Sequence, residues 1–236
     1  WRDRARDHRL WSDPAQLARI AAEADVVNQS VPLLLMLAGL LHDGTDGAVG
    51  FLREVQRAHA SDFWTNFTLA EALEVRGDSD AVVFYQVALA LRPRAIAPCI
   101  NLGNVLKSLG RRDEGRVYWE RALTLDRNSV AARENLAIDL LELGRLDESL
   151  EHCRAGIAID PNSITCYSVA GSVHFHRGEF ALGAGFLTTG LANDDGTSPD
   201  RAEMMSALDR CERFIAMEAR PSHVLEDAAS LESHAE

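Results

Sequence analysis

No apolar run in the sequence is long enough to cross a bilayer. The longest, Val31 to Leu41, falls well short of the roughly 20 residues required. No cationic stretch followed by an apolar core opens the chain, so no secretory signal is read. A basic excess is missing too: 36 acidic against 24 basic residues give −12, which argues against a nucleic-acid backbone as the main partner. The four cysteines (99, 153, 166 and 211) form no C-x-x-C pair and read as small core residues of an intracellular chain. Aromatic residues make up only 6%. The first residue is Trp1 rather than Met, so the chain is expected to be a piece of a longer protein. With 47% apolar and 25% charged residues, wholesale disorder is excluded. An acidic, soluble, cytoplasmic protein of one or two domains is the expectation, at about 150 residues per domain.

What the sequence does have is a period. Glycines that follow apolar-periodic runs, Gly44, Gly77, Gly110, Gly144 and Gly178, are spaced 33, 33, 34 and 34 apart. Leu89, Leu123, Ile157 and Leu191 run in step at 34, as do Ala88, Ala122, Gly156 and Gly190. Such self-similarity is the mark of stacked supersecondary units. Each unit reads as two helices. From Val130 to Ser163, Leu136, Leu140 and Leu143 form one stripe, and Gly144 ends the first helix. Asp147 and Glu148 suit the positive start of the second, which carries Leu150, Cys153, Ile157 and Ile159 before Pro161 stops it. Pro14, Pro32 and Pro98 fall in predicted first turns, and Pro93, Pro161, Pro199 and Pro221 flank helix ends.

Small residues recur where two helices must approach. At position 8 of each unit stand Ala38, Ala70, Gly103, Ala137 and Gly171; at position 20, Ala48, Ala81, Gly115, Ser149 and Gly183. The bulkier position 24 holds Leu52, Tyr85, Trp119, Cys153 and Leu187, so that antiparallel helices can interlock. This pattern resembles the tetratricopeptide repeat (TPR), most clearly in Asn101-Leu102-Gly103-Asn104 with Ala122-Leu123, and in Gly144-Arg145-Leu146-Asp147-Glu148 through Asp160-Pro161-Asn162. The resemblance implies an all-α, TPR-type α-solenoid of antiparallel helix pairs forming a right-handed superhelix. It places five units at 31–62, 63–95, 96–129, 130–163 and 164–198, the first degenerate around its turn. An entry segment with a short capping helix (1–30, the helix at 14–25 with Ser12 and Asp13 as N-cap candidates) precedes them. A capping helix at 199–220, with Met204, Leu208, Cys211 and Ile215 on one stripe, and an acidic tail at 221–236 follow.

Motifs for chemistry fail on their surroundings. Gly44-x-x-Gly47-x-x-Gly50 lacks the Lys and Ser/Thr of a phosphate loop and reads as a turn. His42-Asp43 has no partner His and Asp at helical spacing and reads as a helix end. His174 and His176, two apart on a helix, point too far apart to converge with Cys166 on one zinc ion. Asn28-Gln-Ser and Asn66-Phe-Thr would be sequons only in a secreted protein. Gly183, Gly185 and Gly190 suggest a loosely folded last unit. No metal, cofactor or catalytic residue is expected.

In family members the first helix of each unit lines a concave groove. The resemblance puts Ile100, Asn101, Asn104 and Lys107, then Glu134, Asn135, Ile138 and Glu142, then Ser168, Ser172, Phe175 and His176 along that wall. Asn101 and Asn135, one repeat apart, could hold an extended peptide by backbone contacts; equally, asparagine there is ordinary for the repeat. The carboxylate grip of chaperone-binding members is not expected, because Ile100, Thr165 and Val169 stand where cations would be needed. Trp64 and Phe67 read first as packing against the degenerate unit, with a groove hot spot as the alternative.

Three phrases, Trp1-Arg-Asp-Arg-Ala-Arg-Asp, Asp62-Phe63-Trp64-Thr-Asn66-Phe67 and Arg210-Cys211-Glu212-Arg213, resemble the C-terminal TPR region of bacterial serine/threonine protein kinases. No kinase catalytic motif is present. The reading is a non-catalytic scaffold that binds protein or peptide segments, without nucleic acid or membrane, and that recruits partners to a larger kinase. The alternative is a structural spacer or self-association module.

Overall fold

The computed structural model describes residues 1–41 and 44–219. The His42-Asp43 reading, Pro221 and the acidic tail at 221–236 lie outside the described residues. Every regular element among them is helical: α1 (Arg2–Ala5), a 3-10 turn (His8–Leu10), α2 (Pro14–Ala22), α3 (Val31–Leu40), α4 (Asp46–Ala58), α5 (Phe63–Val75), α6 (Ala81–Leu91), α7 (Ile96–Ser108), α8 (Arg112–Leu125), α9 (Val130–Glu142), α10 (Leu146–Ile159), α11 (Ile164–His176), α12 (Phe180–Asn193) and α13 (Arg201–Glu218). None is long and apolar enough to cross a membrane. The chain divides into two compact units, Trp1–Ala132 and Arg133–Glu236.

The punctuation follows from local chemistry. Gly44, Gly77, Gly110, Gly144 and Gly178 all adopt positive φ, between 67° and 78°, where a side chain would clash with its own backbone. The last four close the same double hydrogen bond. At Gly110, for example, its N–H donates to Lys107 O (2.9 Å) and the next N–H to Leu106 O (2.8 Å), which satisfies two orphan carbonyls of α7. Gly47 and Gly50, expected in a turn with Gly44, instead lie inside α4. Thr45 starts that helix by accepting Ala48 N–H, so only Gly44 remains in the turn.

Second helices begin on a repeated ion pair. Arg111 forks onto Glu114 (2.8 and 2.7 Å), and Arg145 onto Glu148 (2.7 and 2.6 Å), in the first turns of α8 and α10. The links between repeats recur too: Asp126 accepts Asn128 N–H and Asp160 accepts Asn162 N–H, each at 2.9 Å.

In the first unit, Asp13 caps α2 by accepting from Ala15 and Gln16 N–H, while Pro14 fills the first helical position. The small positions do the close packing. Ala38, Ala48, Ala70 and Ala81 are wholly buried beside Leu52 and Tyr85. At α7–α8 a Cβ on Gly103 would fall 2.3 Å from Trp119 Nε1, and one on Gly115 would fall 2.6 Å from Gly103 O. The backbones therefore touch where glycine meets glycine, and the Trp119 indole fills the space beside them.

In the second unit, Ser149 takes the small position and donates its hydroxyl to Ala137 O at 2.7 Å. A core of Leu150, Cys153, Cys166, Val169 and Val173 surrounds it. Cys153 holds its proton firmly, because its free thiol is hydrogen-bonded to Cys166 and buried. Two of the α12 glycines stand at close contacts. A Cβ on Gly183 would sit 3.0 Å from Gly171 O, and one on Gly190 2.5 Å from Met204 Cε. Only Gly185 of the three faces open space; the other two are contact points. Thr165 Oγ1 donates to Asp200, just before α13, at 3.2 Å.

Candidate peptide-binding face

Helix α7 presents the first set of expected residues. Its apolar side, Cys99, Leu102, Val105 and Leu106, is buried, which leaves Ile100, Asn101, Asn104 and Lys107 half-buried on the opposite side. Two buried aromatics from the second helices fix the asparagines. Asn101 Nδ2 donates to Tyr85 Oη at 3.2 Å, and that phenol in turn donates to Glu74. Trp119 Nε1 donates to Asn104 Oδ1 at 3.1 Å and also reaches Ile100 O at 3.2 Å. Burial pushes the Tyr85 phenol well above its ordinary value, and the Glu74 carboxylate adds to this; Glu74 is itself raised by burial. The phenol therefore stays a donor.

The chemistry left over is complementary. Asn101 keeps its Oδ1 acceptor and Asn104 its Nδ2 donors without a partner among the described residues. One helical turn thus offers an acceptor and a donor, the requirement for pairing with a peptide's N–H and C=O.

The second unit carries the other set. Glu134, Asn135 and Ile138 are half-buried on α9. Glu134 accepts the Ser163 hydroxyl at 2.7 Å, while Ser163 Oγ caps α11 by accepting Cys166 N–H at 3.2 Å. This ties the expected α9 residue to the start of the helix that bears Ser168 and Ser172, both half-buried. Ile138 packs against the Cys153–Cys166 core rather than standing free.

Among the other candidates, His174 is buried, stacks on Phe186 at 5.1 Å and contacts Glu179 Oε2 at 2.5 Å, whereas His176 is exposed. The two rings face different surroundings. Asn66 of the apparent sequon is also buried, donating to Ala60 O (2.8 Å) and Asp62 O (2.7 Å). The aromatics of that phrase divide. Phe63 and Phe67 are buried, as the packing reading requires, but Trp64 is 51% exposed.

Family models for the tetratricopeptide repeat match residues 96–129 and 130–155. Residues 96–155 carry tetratricopeptide repeats. Among solved structures, YrrB, a TPR protein with an unusual peptide-binding site, is 20% identical with a TM-score of 0.57, over 81% of this chain and 96% of that one. MamA 41-end from Desulfovibrio magneticus RS-1 is 18% identical with a TM-score of 0.58, over 80% and 99%. Another crystal structure of MamA is 19% identical with a TM-score of 0.56, over 67% and 85%. At such identities the likeness speaks for the fold, which is the all-α TPR solenoid class. No curated protein matches the sequence.

Proposed function

We propose that this chain is a non-catalytic protein-interaction module whose first helices hold extended peptide segments. The observation that carries this reading is the pair Asn101 and Asn104, each amide oriented by a buried aromatic so that one acceptor and one donor face outward. Preorganised amides lose little freedom on binding, so backbone contacts of this kind convert into affinity without reading the peptide's sequence. Lys107 and Ile100 flank the pair in the first unit; Glu134, Asn135, Ile138, Ser168 and Ser172 are the corresponding residues of the second. The repeat organisation that goes with this reading is the five units from 31–62 to 164–198, in a cytoplasmic protein with neither nucleic acid nor membrane as partner. The peptide-binding neighbour YrrB lends support by analogy. The test is an array of unrelated peptides: Asn101→Ala with Asn104→Ala should lose most captured spots while the helical circular dichroism stays unchanged. Unchanged capture would sink the reading.

Association with a serine/threonine kinase is the finer proposal, and two of its three phrases have reasons in the fold alone. Asp62 caps α5 by accepting Thr65 N–H at 2.8 Å, while Cys211 is buried and Arg210 lies 5.4 Å over the Phe175 ring. Kinase motifs encoded upstream of Trp1 would support recruitment, and a full-length sequence without them would remove it. Self-association is favoured by one observation. Helix α13 exposes Met205 (55%), Phe214 (40%) and Met217 (63%). A mass that rises with concentration in light scattering would select it.

A further inference from the structure

Within the first unit, the start of α5 and the Arg92-Pro93-Arg94 link between α6 and α7 enclose an open cleft of about 550 Å³. Its floor and wall are apolar: buried Phe67 and Pro98, half-buried Ile96, and the exposed indole of Trp64. Its rim is cationic. The Arg92 guanidinium lies 4.3 Å from the Phe63 ring centre and 5.4 Å from that of Trp64. Arg94 is exposed, and Arg121 reaches across to donate to Pro93 O at 2.6 Å.

These three arginines gather at one rim without carboxylate partners. The chain carries twelve more acidic than basic residues, and Arg53, Arg76, Arg111, Arg145, Arg177 and Arg201 are each paired with a carboxylate. Arg92, Arg94 and Arg121 have no carboxylate partner among the described residues. Stacking covers the face of the Arg92 guanidinium and leaves its N–H edge free, the edge that binds carboxylates in a bidentate manner. Trp and Arg around a partly desolvated hollow is also the composition of interface hot spots.

We propose that this cleft docks an acidic segment of a partner protein, with one bulky apolar side chain seated against Trp64 and Phe67 and flanking Asp or Glu residues held by Arg92 and Arg94. Charge complementarity selects this occupant. A basic or neutral segment would leave three unpaired cations at the rim. The remaining negative charge of the chain does not cancel the attraction, because charges more than about 8–10 Å away are screened at physiological salt. The proposal rests on the peptide-binding reading and deepens it, by placing a second, sequence-selective contact beside the backbone-reading amides.

The test is fluorescence anisotropy with a labelled synthetic peptide: one central phenylalanine, two glutamates on each side, and glycine and serine elsewhere. Saturable binding is expected, weakened about tenfold or more by Trp64→Ala or by Arg92→Gln with Arg94→Gln, and weakened again as NaCl rises. Arg94 is exposed and has no side-chain hydrogen bond or ion pair among the described residues, so Arg94→Glu serves where Trp64→Ala disturbs folding, and it too should weaken binding about tenfold. Equal binding of a version with lysines for glutamates would overturn the proposal, as would binding of a phosphoserine version alone. If the peptide responds to Asn101→Ala with Asn104→Ala but not to the cleft variants, the cleft is wrong and the peptide-binding reading stands. No saturable binding at all overturns the cleft, while the peptide array still judges the wider function.

Discussion

At Gly103, intrinsic helix preference and packing pull in opposite directions. Alanine would gain about 1 kcal/mol of helix propensity, but its Cβ would fall 2.3 Å from Trp119 Nε1, whose N–H is shared between Asn104 Oδ1 and Ile100 O. Overpacking of that kind costs about 1–3 kcal/mol, so Gly103→Ala should give no stabilisation and destabilise by up to about 2 kcal/mol in urea denaturation. Gly185 also sits inside a helix, yet nothing lies within 4 Å of its missing Cβ. Gly185→Ala should therefore stabilise by about 0.5–1 kcal/mol. A gain at Gly185 without one at Gly103 would separate contact glycines from idle ones. Tyr85 supplies a second prediction. Its phenol is held neutral in the fold, whereas an unfolded tyrosine ionises near pH 10. Below that pH both states are protonated and the contribution is intact; as pH rises beyond it, the unfolded chain loses a proton that the fold retains, and stability falls. The buried thiols of Cys99, Cys153 and Cys211, also raised in the fold, add a slope of the same sign, which Tyr85→Phe leaves in place, so the difference between the two proteins isolates the phenol. Thermal melts from about pH 9 to about pH 11 should show a downward slope that is shallower in Tyr85→Phe.

At the scale of elements, capping and end-burial decide stability. Asp62→Ala removes the acceptor for Thr65 N–H and Oγ1 at the start of α5, and should lower the unfolding free energy by about 1 kcal/mol. Helix α13 closes the second unit by filling the small positions of α12: Gly190 receives Met204, and a Cβ on Gly183 would lie 3.4 Å from Cys211 Sγ. Met204 is fully buried while its neighbour Met205 is 55% exposed. Met204→Ala should cost about 2–5 kcal/mol, and Met205→Ala should stay within about 0.5 kcal/mol, both read by chemical denaturation. The helix pairs, their glycine ends and the small positions were legible in the sequence because each follows from a fixed spacing and from backbone rules that hold locally. The orientation of Asn101 and Asn104 was not, since it depends on Tyr85 and Trp119, 16 and 15 residues away on other helices. Nor was the cationic rim, which needs the turn at Pro93 to lay Arg92 across Phe63. The contact role of Gly183 and Gly190 was hidden because helix propensity alone ranks both as weak points.

Across the whole molecule, most packing joins helices adjacent in sequence, so each repeat forms from contacts of short sequence separation and fast folding is expected. The division at Ala132 and Arg133 left no trace in the period, which runs through it unbroken. That division has a spectroscopic consequence. All four tryptophans, Trp1, Trp11, Trp64 and Trp119, belong to the first unit, and the second has none. Light that excites only indole therefore interrogates residues 1–132 alone, while far-ultraviolet dichroism records the helices of both units. One urea titration followed by both signals becomes a direct measure of cooperativity: superimposed curves mean the whole array melts as a single system, and a dichroism change outlasting or preceding the fluorescence change resolves the second unit's own stability.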